Sequence, residues 1–280
     1  MKLSATALCA RHPAAREGAP DALKSTSLTI ESGEHLAVIG PSGAGKTTLL
    51  HTLACALAPR AGTLSLDGVN PWQLRRADLQ RLRGRLYLAP QVPPLPPRQR
   101  VVTSVLAGSL PAMSLTQSLR SLFYPRDLAG AHAALTQFDL ADKLFDRVDR
   151  LSGGERQRIG LARALVSPAN LWLIDEPLSA LDPTRATLAM SALIDGARAR
   201  AVTLVVTLHQ VEVALARFPR IIGLRDGHIA FDLPAAAVTQ ARLKELYAQH
   251  EEELTGPAPN APDATEALAA IVKPVVMHCR

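Results

Sequence analysis

The sequence predicts an α/β fold, a parallel sheet with helices packed on its faces. Two observations predict it: short apolar runs of strand length alternate with helical stretches, and one run passes through a glycine turn directly into a helix. That run is Glu34-His35-Leu36-Ala37-Val38-Ile39-Gly40, a buried strand ending in a turn. From Thr47 the pattern becomes helical, with Leu49, Leu50, Leu53 and Leu57 on one face and Pro59 and Gly62 closing the segment. Leu64 and Leu66 alternate before an Asp67-Gly68 turn. Residues 98–165 read as mostly helical and form a separate subdomain. Residues 171–174 and 202–207 are further buried strands. Asp226-Gly227 fits a hairpin turn between strands at 221–224 and 228–231. The last 30 residues differ, with an acidic run at 251–253 and a Pro-, Ala- and Asn-rich stretch at 255–264. The expected organisation is one domain over 1–250, followed by a linker and C-terminal appendix over 251–280.

Composition narrows the function classes. Of 280 residues, 48% are hydrophobic, enough for a sizeable core, and a disordered chain is excluded. Aromatics are only 4%, so the core rests on Ala, Leu, Val and Ile, and an aromatic stacking platform for nucleic acid is disfavoured. Cys9, Cys55 and Cys279 are too far apart for metal-ligand spacing and give no disulfide framework, so they read as free thiols in a reducing compartment. No apolar run reaches the ~18 residues of a membrane span, and the N-terminus lacks the apolar block of a secretory signal. The expectation is a soluble, cytoplasmic protein. The net charge of +6 is spread along the chain, as in a mildly basic soluble protein.

Gly40-Pro41-Ser42-Gly43-Ala44-Gly45-Lys46-Thr47 matches the phosphate-loop pattern in full, between a strand and a helix. Its glycines let successive N–H groups curl around one phosphate, and the helix aims its positive end there. Lys46 supplies a point charge for the β- and γ-phosphates, and the Thr47 hydroxyl a hard oxygen for Mg²⁺; Thr48 continues the site. Asp175 ends the apolar strand at 171–174 and can hold Mg²⁺ through water. Glu176 beside it can orient or deprotonate an attacking water.

Leu151-Ser152-Gly153-Gly154-Glu155-Arg156-Gln157-Arg158 is the most specific stretch. Ser152 and Glu155 have capping-box spacing, so a helix begins there. Two glycines beside the cap leave N–H groups open to an anion, a second phosphate-binding end. Such a chain can work as a head-to-tail pair in which each copy caps the other's nucleotide.

With these motifs in order, the sequence closely resembles the ATP-binding subunits of ABC transporters over roughly residues 3–248. Further matches are Ser179-Ala180-Leu181-Asp182, the family's loop for communication across the dimer, Gln91 after the strand at 86–88, and His209 after the strand ending at Thr207. The resemblance implies a P-loop NTPase (RecA-like) core with a parallel sheet, an N-terminal antiparallel β subdomain and an inserted helical subdomain at about 98–165. It implies an ATPase with ATP and Mg²⁺ as cofactors. Glu176 would be the general base, Gln91 the Mg²⁺- and water-sensing glutamine, and His209 the γ-phosphate switch. Thr47, Gln91 and Asp175 would serve the metal. Ser152, Gly153, Gly154 and Glu155 of one copy would face the ATP held by Lys46 of the other. The implied partners are a second copy, transmembrane permease subunits and an external solute-binding protein acting through them, with no direct nucleic acid. The implied place is peripheral, on the cytoplasmic face of the inner membrane.

Two features depart from the family pattern. Family members often stack adenine on an aromatic near the N-terminus, but no Tyr, Phe or Trp precedes Trp72, and His12 is the nearest candidate. The segment after Gln91 carries Pro93, Pro94, Pro96 and Pro97, which reads as a stiff loop where the family faces its membrane subunit. Arg75, Arg76, Arg81, Arg83 and Arg85 precede it and read as a solvated helix face and loop, with nucleic acid or lipid headgroups as the alternative. Within the family, Val105-Leu106-Ala107-Gly108, Leu119-Arg120-Ser121-Leu122-Phe123, Pro125-Arg126-Asp127 and the ending at 227–235 with Leu246-Tyr247 are similar to ATPases of phosphonate-type importers. Import of phosphonate or a related phosphorus oxyanion is the reading this implies. The alternatives are an ABC ATPase for another cargo, import or export, and a soluble ABC ATPase acting on nucleic acid.

Overall fold

A computed structural model describes residues 1–12, 14–16, 18–123 and 127–248. The expected linker and appendix at 251–280, Cys279, and Pro125 and Arg126 of the phosphonate-type pattern lie outside the described residues.

The strands are β1 (Leu3–Ala10), β2 (Leu23–Ile30), β3 (His35–Ile39), β4 (Ala61–Leu66), β5 (Leu86–Ala89), β6 (Leu171–Asp175), β7 (Thr203–Thr207), β8 (Arg220–Arg225) and β9 (His228–Pro234). The α-helices are α1 (Lys46–Leu53), α2 (Arg76–Arg83), α3 (Val101–Leu106), α4 (Leu115–Phe123), α5 (Leu128–Thr136), α6 (Gly153–Val166), α7 (Pro183–Ala199), α8 (Val211–Arg217) and α9 (Gln240–Leu246). A six-stranded sheet runs β5-β6-β7-β3-β8-β9, with β5 to β8 parallel and only β9 antiparallel. A separate antiparallel sheet runs β2-β1-β4. This is the α/β core with an N-terminal antiparallel β layer that the motifs imply.

Alternation along the central strands builds two cores. Ala37, Ile39, Trp172, Ile174, Leu204 and Val206 face a layer containing α3, α5, α6 and α7. Leu36, Val38, Leu171, Leu173, Val205 and Ile222 face α1 and the antiparallel sheet. Strands buried on both faces are apolar along their middles, with Asp175, Thr203 and Thr207 at strand ends, which is why these runs read as continuous rather than alternating in the sequence. Between β8 and β9, Asp226 and Gly227 both have positive φ (50° and 83°), the geometry of a type I′ hairpin turn.

The first helix is shorter than its apolar spacing predicts. It ends at Leu53, and Leu57 lies beyond it. Cys55 takes a left-handed φ of 55°, and the N–H groups of Ala56 and Leu57 donate back to His51 O. The helix thus closes with a cysteine where glycine is the usual stop signal.

The five arginines after Trp72 are all exposed, as a solvated helix face and loop requires, and three of them also bond within the chain. Arg83 donates twice to Cys55 O, Arg85 pairs with Asp67 at 2.8 Å, and Arg81 pairs with Asp78 at 2.6 Å. The proline segment connects β5 to α3. Its Pro93 ring packs so closely on Gly160 of α6 that a Cβ there would lie 2.7 Å from it.

Candidate active site

The phosphate loop is fixed by two glycines that no other residue could replace. Gly40 follows β3 with φ 152°, and a Cβ there would sit 2.0 Å from the carbonyl oxygen of Leu224. Gly45 precedes α1 with φ 104°, and its Cβ would sit 2.5 Å from Ala22 O. The loop is therefore clamped between β8 and the start of β2. Lys46, the first residue of α1, is buried and donates to Gly40 O at 2.7 Å and Pro41 O at 3.2 Å. Gly45 provides no side-chain cap to α1, so the first turn presents its N–H groups to whatever enters the loop.

At the C-terminal ends of β6 and β7 lie the carboxylates. The parallel register sets Asp175 opposite Thr207. Thr207 Oγ1 donates to Asp175 Oδ1 at 2.6 Å and accepts the Glu176 N–H at 3.0 Å. Burial pushes the Asp175 carboxyl above its ordinary pKa, an effect opposed by hydrogen bonds from Thr207 and Thr47. Glu176 adopts φ 44°, an unusual conformation for a residue with a Cβ. Its carbonyl accepts from Gln157 Nε2 at 2.9 Å, and its Oε1 lies 2.5 Å from His209 Nε2.

One cavity of about 470 Å³ unites much of this. His12, Ser42, Gly43, Ala44, Gly45, Lys46, Thr47, Thr48, Gln91, Glu176 and His209 all line it. Asp175 is buried and reached through Thr47. His12 stands at this wall with Nδ1 accepting the Ala14 N–H at 3.2 Å, which leaves Nε2 as the protonated nitrogen of the neutral ring.

The signature residues stand elsewhere, at the start of α6. Glu155 N donates to Ser152 Oγ at 3.2 Å and Ser152 N donates to Glu155 Oε2 at 2.7 Å, a complete capping box. That bond from the Ser152 backbone holds the Glu155 carboxyl below its usual range. A Cβ on Gly154 would lie 2.8 Å from Ala180 O, so the loop after β6 packs directly on the signature turn. Gly153 has open space around it. Asp182 caps α7, accepting the Arg185 N–H at 3.0 Å, and that bond lowers its pKa. None of these five residues lines the cavity around Lys46.

Among the described residues, no three His, Cys, Asp or Glu side chains cluster as a metal cage. The Thr47 hydroxyl hydrogen-bonded to the Asp175 carboxylate is instead a pair of hard oxygens. It fits a Mg²⁺ that takes its other ligands from phosphate and water.

Sequence reasoning missed Thr207 and Gln157. Thr207 reads as an ordinary β-branched strand residue, and only the β6–β7 register brings it to Asp175. Gln157 lies within the signature stretch. Its amide donates to Glu176 O and Ser179 Oγ and accepts the Ala180 N–H, joining α6 to the loop after β6.

Comparison with known proteins agrees with this architecture. The ABC transporter family model matches residues 23–179. The Phosphonates import ATP-binding protein PhnC of Polaromonas sp. is 65% identical over all of both chains, and PhnC 2 of Albidiferax ferrireducens is 64% identical over the same span. Among solved structures, a dimeric bacterial ABC transporter cassette, MJ0796, is 27% identical with a TM-score of 0.71, covering 83% of this chain and 98% of that one. The same cassette in a dimeric post-hydrolysis state bound to ADP and Pi gives 26% and 0.70 over the same coverage. A strand-held phosphate loop, a buried Asp175 followed by Glu176 and a separate capped signature helix, together with these matches, establish that the chain belongs to the ABC transporter family, as one of its ATP-binding subunits.

Proposed function

We propose that this chain is the ATP-hydrolysing subunit of a phosphonate importer. The observation that carries the chemistry is the convergence of the phosphate loop, Gln91, Glu176 and His209 on one cavity. In this reading residues 40–48 bind the triphosphate, Lys46 answers its β- and γ-charges, and His12 flanks the base. Glu176 takes the proton of the attacking water, and His209, in contact with its carboxylate, fixes the direction of that carboxylate. Thr47, Asp175 and Gln91 hold Mg²⁺, which when bound neutralises charge on the transferring phosphoryl group.

Residues 1–250 form the ATP-binding unit, with about 98–165 as its helical subdomain. The chain works as a head-to-tail pair in which Ser152, Gly153, Gly154 and Glu155 of one copy meet the nucleotide of the other, with Asp182 at the crossing. Support comes from the lining of their own chain's cavity, which includes none of these residues, and from the dimeric MJ0796 cassettes. Hydrolysis removes the phosphate that bridges the copies, and the permease subunits read that two-state closure. An external solute-binding protein delivers cargo to the permease. The subunit sits peripherally on the cytoplasmic face of the cell membrane; no helix among the described residues is long and apolar enough to cross one.

The cargo rests on the relatives, since this chain never touches it: identity of 64–65% to phosphonates import proteins runs the full length. The test is growth of the source cell, carrying either the native chain or Glu176→Gln, on phosphonate, phosphite or phosphate as sole phosphorus source. Growth lost on phosphonate alone supports the reading. Growth retained on phosphonate in a cell with no second importer refutes the cargo and leaves the ATPase standing.

A further inference from the structure

The hydroxyl of Thr207 has two partners, and both belong to the Asp175–Glu176 pair. It donates to the Asp175 carboxylate and accepts the Glu176 N–H. A hydroxyl has one proton to give, so donating it to Asp175 sets the rotor and turns a lone pair toward Glu176. Thr207 is fully buried, and water does not compete for these bonds. Glu176 has the left-handed φ of 44°, a conformation that a residue with a Cβ leaves unless its surroundings hold it. Its peptide is gripped at both ends, the N–H by Thr207 and the C=O by Gln157.

Thr203, at the other end of β7, is the contrast. Its hydroxyl joins the Met1 backbone to the Gly33 N–H, far from the carboxylates, and does the work of a structural tie. At position 207 a valine would keep the branched shape of the strand but would leave the Asp175 carboxylate and the Glu176 N–H without this partner. Both bonds of the hydroxyl go to the Asp175–Glu176 pair.

We propose that Thr207 is a positioning residue for ATP hydrolysis: one buried hydroxyl orients the Asp175 carboxylate and holds the Glu176 backbone in the conformation that directs its side chain to His209. The proposal rests on the reading of Glu176 as general base. It makes a distinction that a packing role would not, because Thr207→Ser keeps the hydroxyl with less volume while Thr207→Val keeps the volume without the hydroxyl.

The experiment compares both variants with the native full-length chain in three measurements: ATP turnover, affinity for a non-hydrolysable ATP analogue, and amide hydrogen exchange of Glu176 by NMR without nucleotide. Misplacing a catalytic group is costly, so Thr207→Val is expected to lower kcat at least ~10-fold with affinity within about 3-fold of native. Without its acceptor, the Glu176 amide should exchange at least ~10-fold faster. Thr207→Ser should bring both back to within about 3-fold of native, since the bonds it restores are the same. Native kcat in Thr207→Val overturns the proposal, whatever the exchange rate. A lowered kcat with unchanged Glu176 protection also overturns it, because the effect would not then run through that backbone. Should the valine variant fail to fold, Thr207→Cys, with a weak donor in the same space, takes its place under the same outcomes. Glu176→Gln is run alongside. Native turnover there removes the base reading itself, whereas lost turnover there beside native turnover in Thr207→Val removes only the role of Thr207.

Discussion

His209 Nε2 lies 2.5 Å from Glu176 Oε1, and the two side chains are only 14% and 12% exposed. A carboxylate held this closely has one direction open to it, and the shielding from water strengthens the contact. His209→Ala should therefore lower kcat ~100-fold, within the range for loss of an oriented acid–base group, while ATP affinity stays near native. Glu176→Gln should also bind ATP, turn it over at least ~100-fold more slowly, and accumulate as an ATP-held dimer. Single-turnover kinetics and gel filtration with ATP check both. A histidine variant that weakens ATP binding without slowing turnover would place His209 in binding instead.

The two ends of the phosphate loop differ sharply in tolerance from its middle. A methyl on Gly40 meets the rigid backbone of β8 at 2.0 Å, whereas one on Gly43 meets nothing within 4 Å and strains only its φ of 78°. Gly40→Ala should cost more than about 3 kcal/mol of stability and abolish ATP binding. Gly43→Ala should cost about 1–2 kcal/mol, the penalty for a left-handed Cβ. Urea unfolding of the two variants measures the contrast, and equal costs would contradict the clamp on Gly40. Lys46→Ala should weaken ATP binding itself at least ~10-fold, because in the proposed site Lys46 meets the charge of the triphosphate in the ground state. Unchanged affinity would count against the loop's role.

Ser152 caps α6, and the proposed pairing gives it a second task that one substitution can separate from the first. Aspartate is as good an N-cap as serine, so Ser152→Asp should leave stability within about 0.5 kcal/mol of native. The new carboxylate would face the γ-phosphate of the other copy and should prevent ATP-dependent pairing. Thermal unfolding together with gel filtration in ATP reads the two tasks independently. Pairing that survives the added charge would mean that Ser152 does not face nucleotide across the dimer.

The parts of this molecule that chemistry forces into the chain's order were legible from it. The glycines at 40 and 45, the apolar run into Asp175 and the Ser152–Glu155 spacing each announce a local geometry, and the fold uses those geometries. What stayed hidden depends on register between strands distant in sequence. Thr207 meets Asp175 only because β7 lies beside β6 in parallel, although the two residues are separated by 32 along the chain. The end of α1 was misjudged for a different reason. Leu57 continues the apolar spacing, but it packs on the second core from outside the helix, after Cys55 turns the backbone. Periodicity records which side chains are buried and not the path the backbone takes to bury them.

Asp175 gives a prediction in which stability and function oppose each other. Burial raises its pKa in the folded state above the ordinary carboxylate value, with the neighbouring charge of Glu176 adding to the rise. The folded chain thus binds this proton more tightly than the unfolded chain does. The stabilisation that follows is fully present below the unfolded carboxylate pKa, about 4, and is lost as pH rises through the raised value. Above that raised value the fold carries an ionised carboxylate at a cost. Asp175→Asn has nearly the same shape, keeps an acceptor for the Thr207 hydroxyl and removes that charge. The variant should be more stable than native at pH 7, and its advantage should shrink as pH falls and vanish near pH 4. It should also lose turnover and its response to Mg²⁺. Urea midpoints for the two chains across pH 4 to 8 give the test. A gap that does not change with pH, or a variant less stable at pH 7, would mean that burial of this carboxylate is fully compensated in the fold. A gap that closes as described would mark Asp175 as a charge kept for chemistry at the expense of stability.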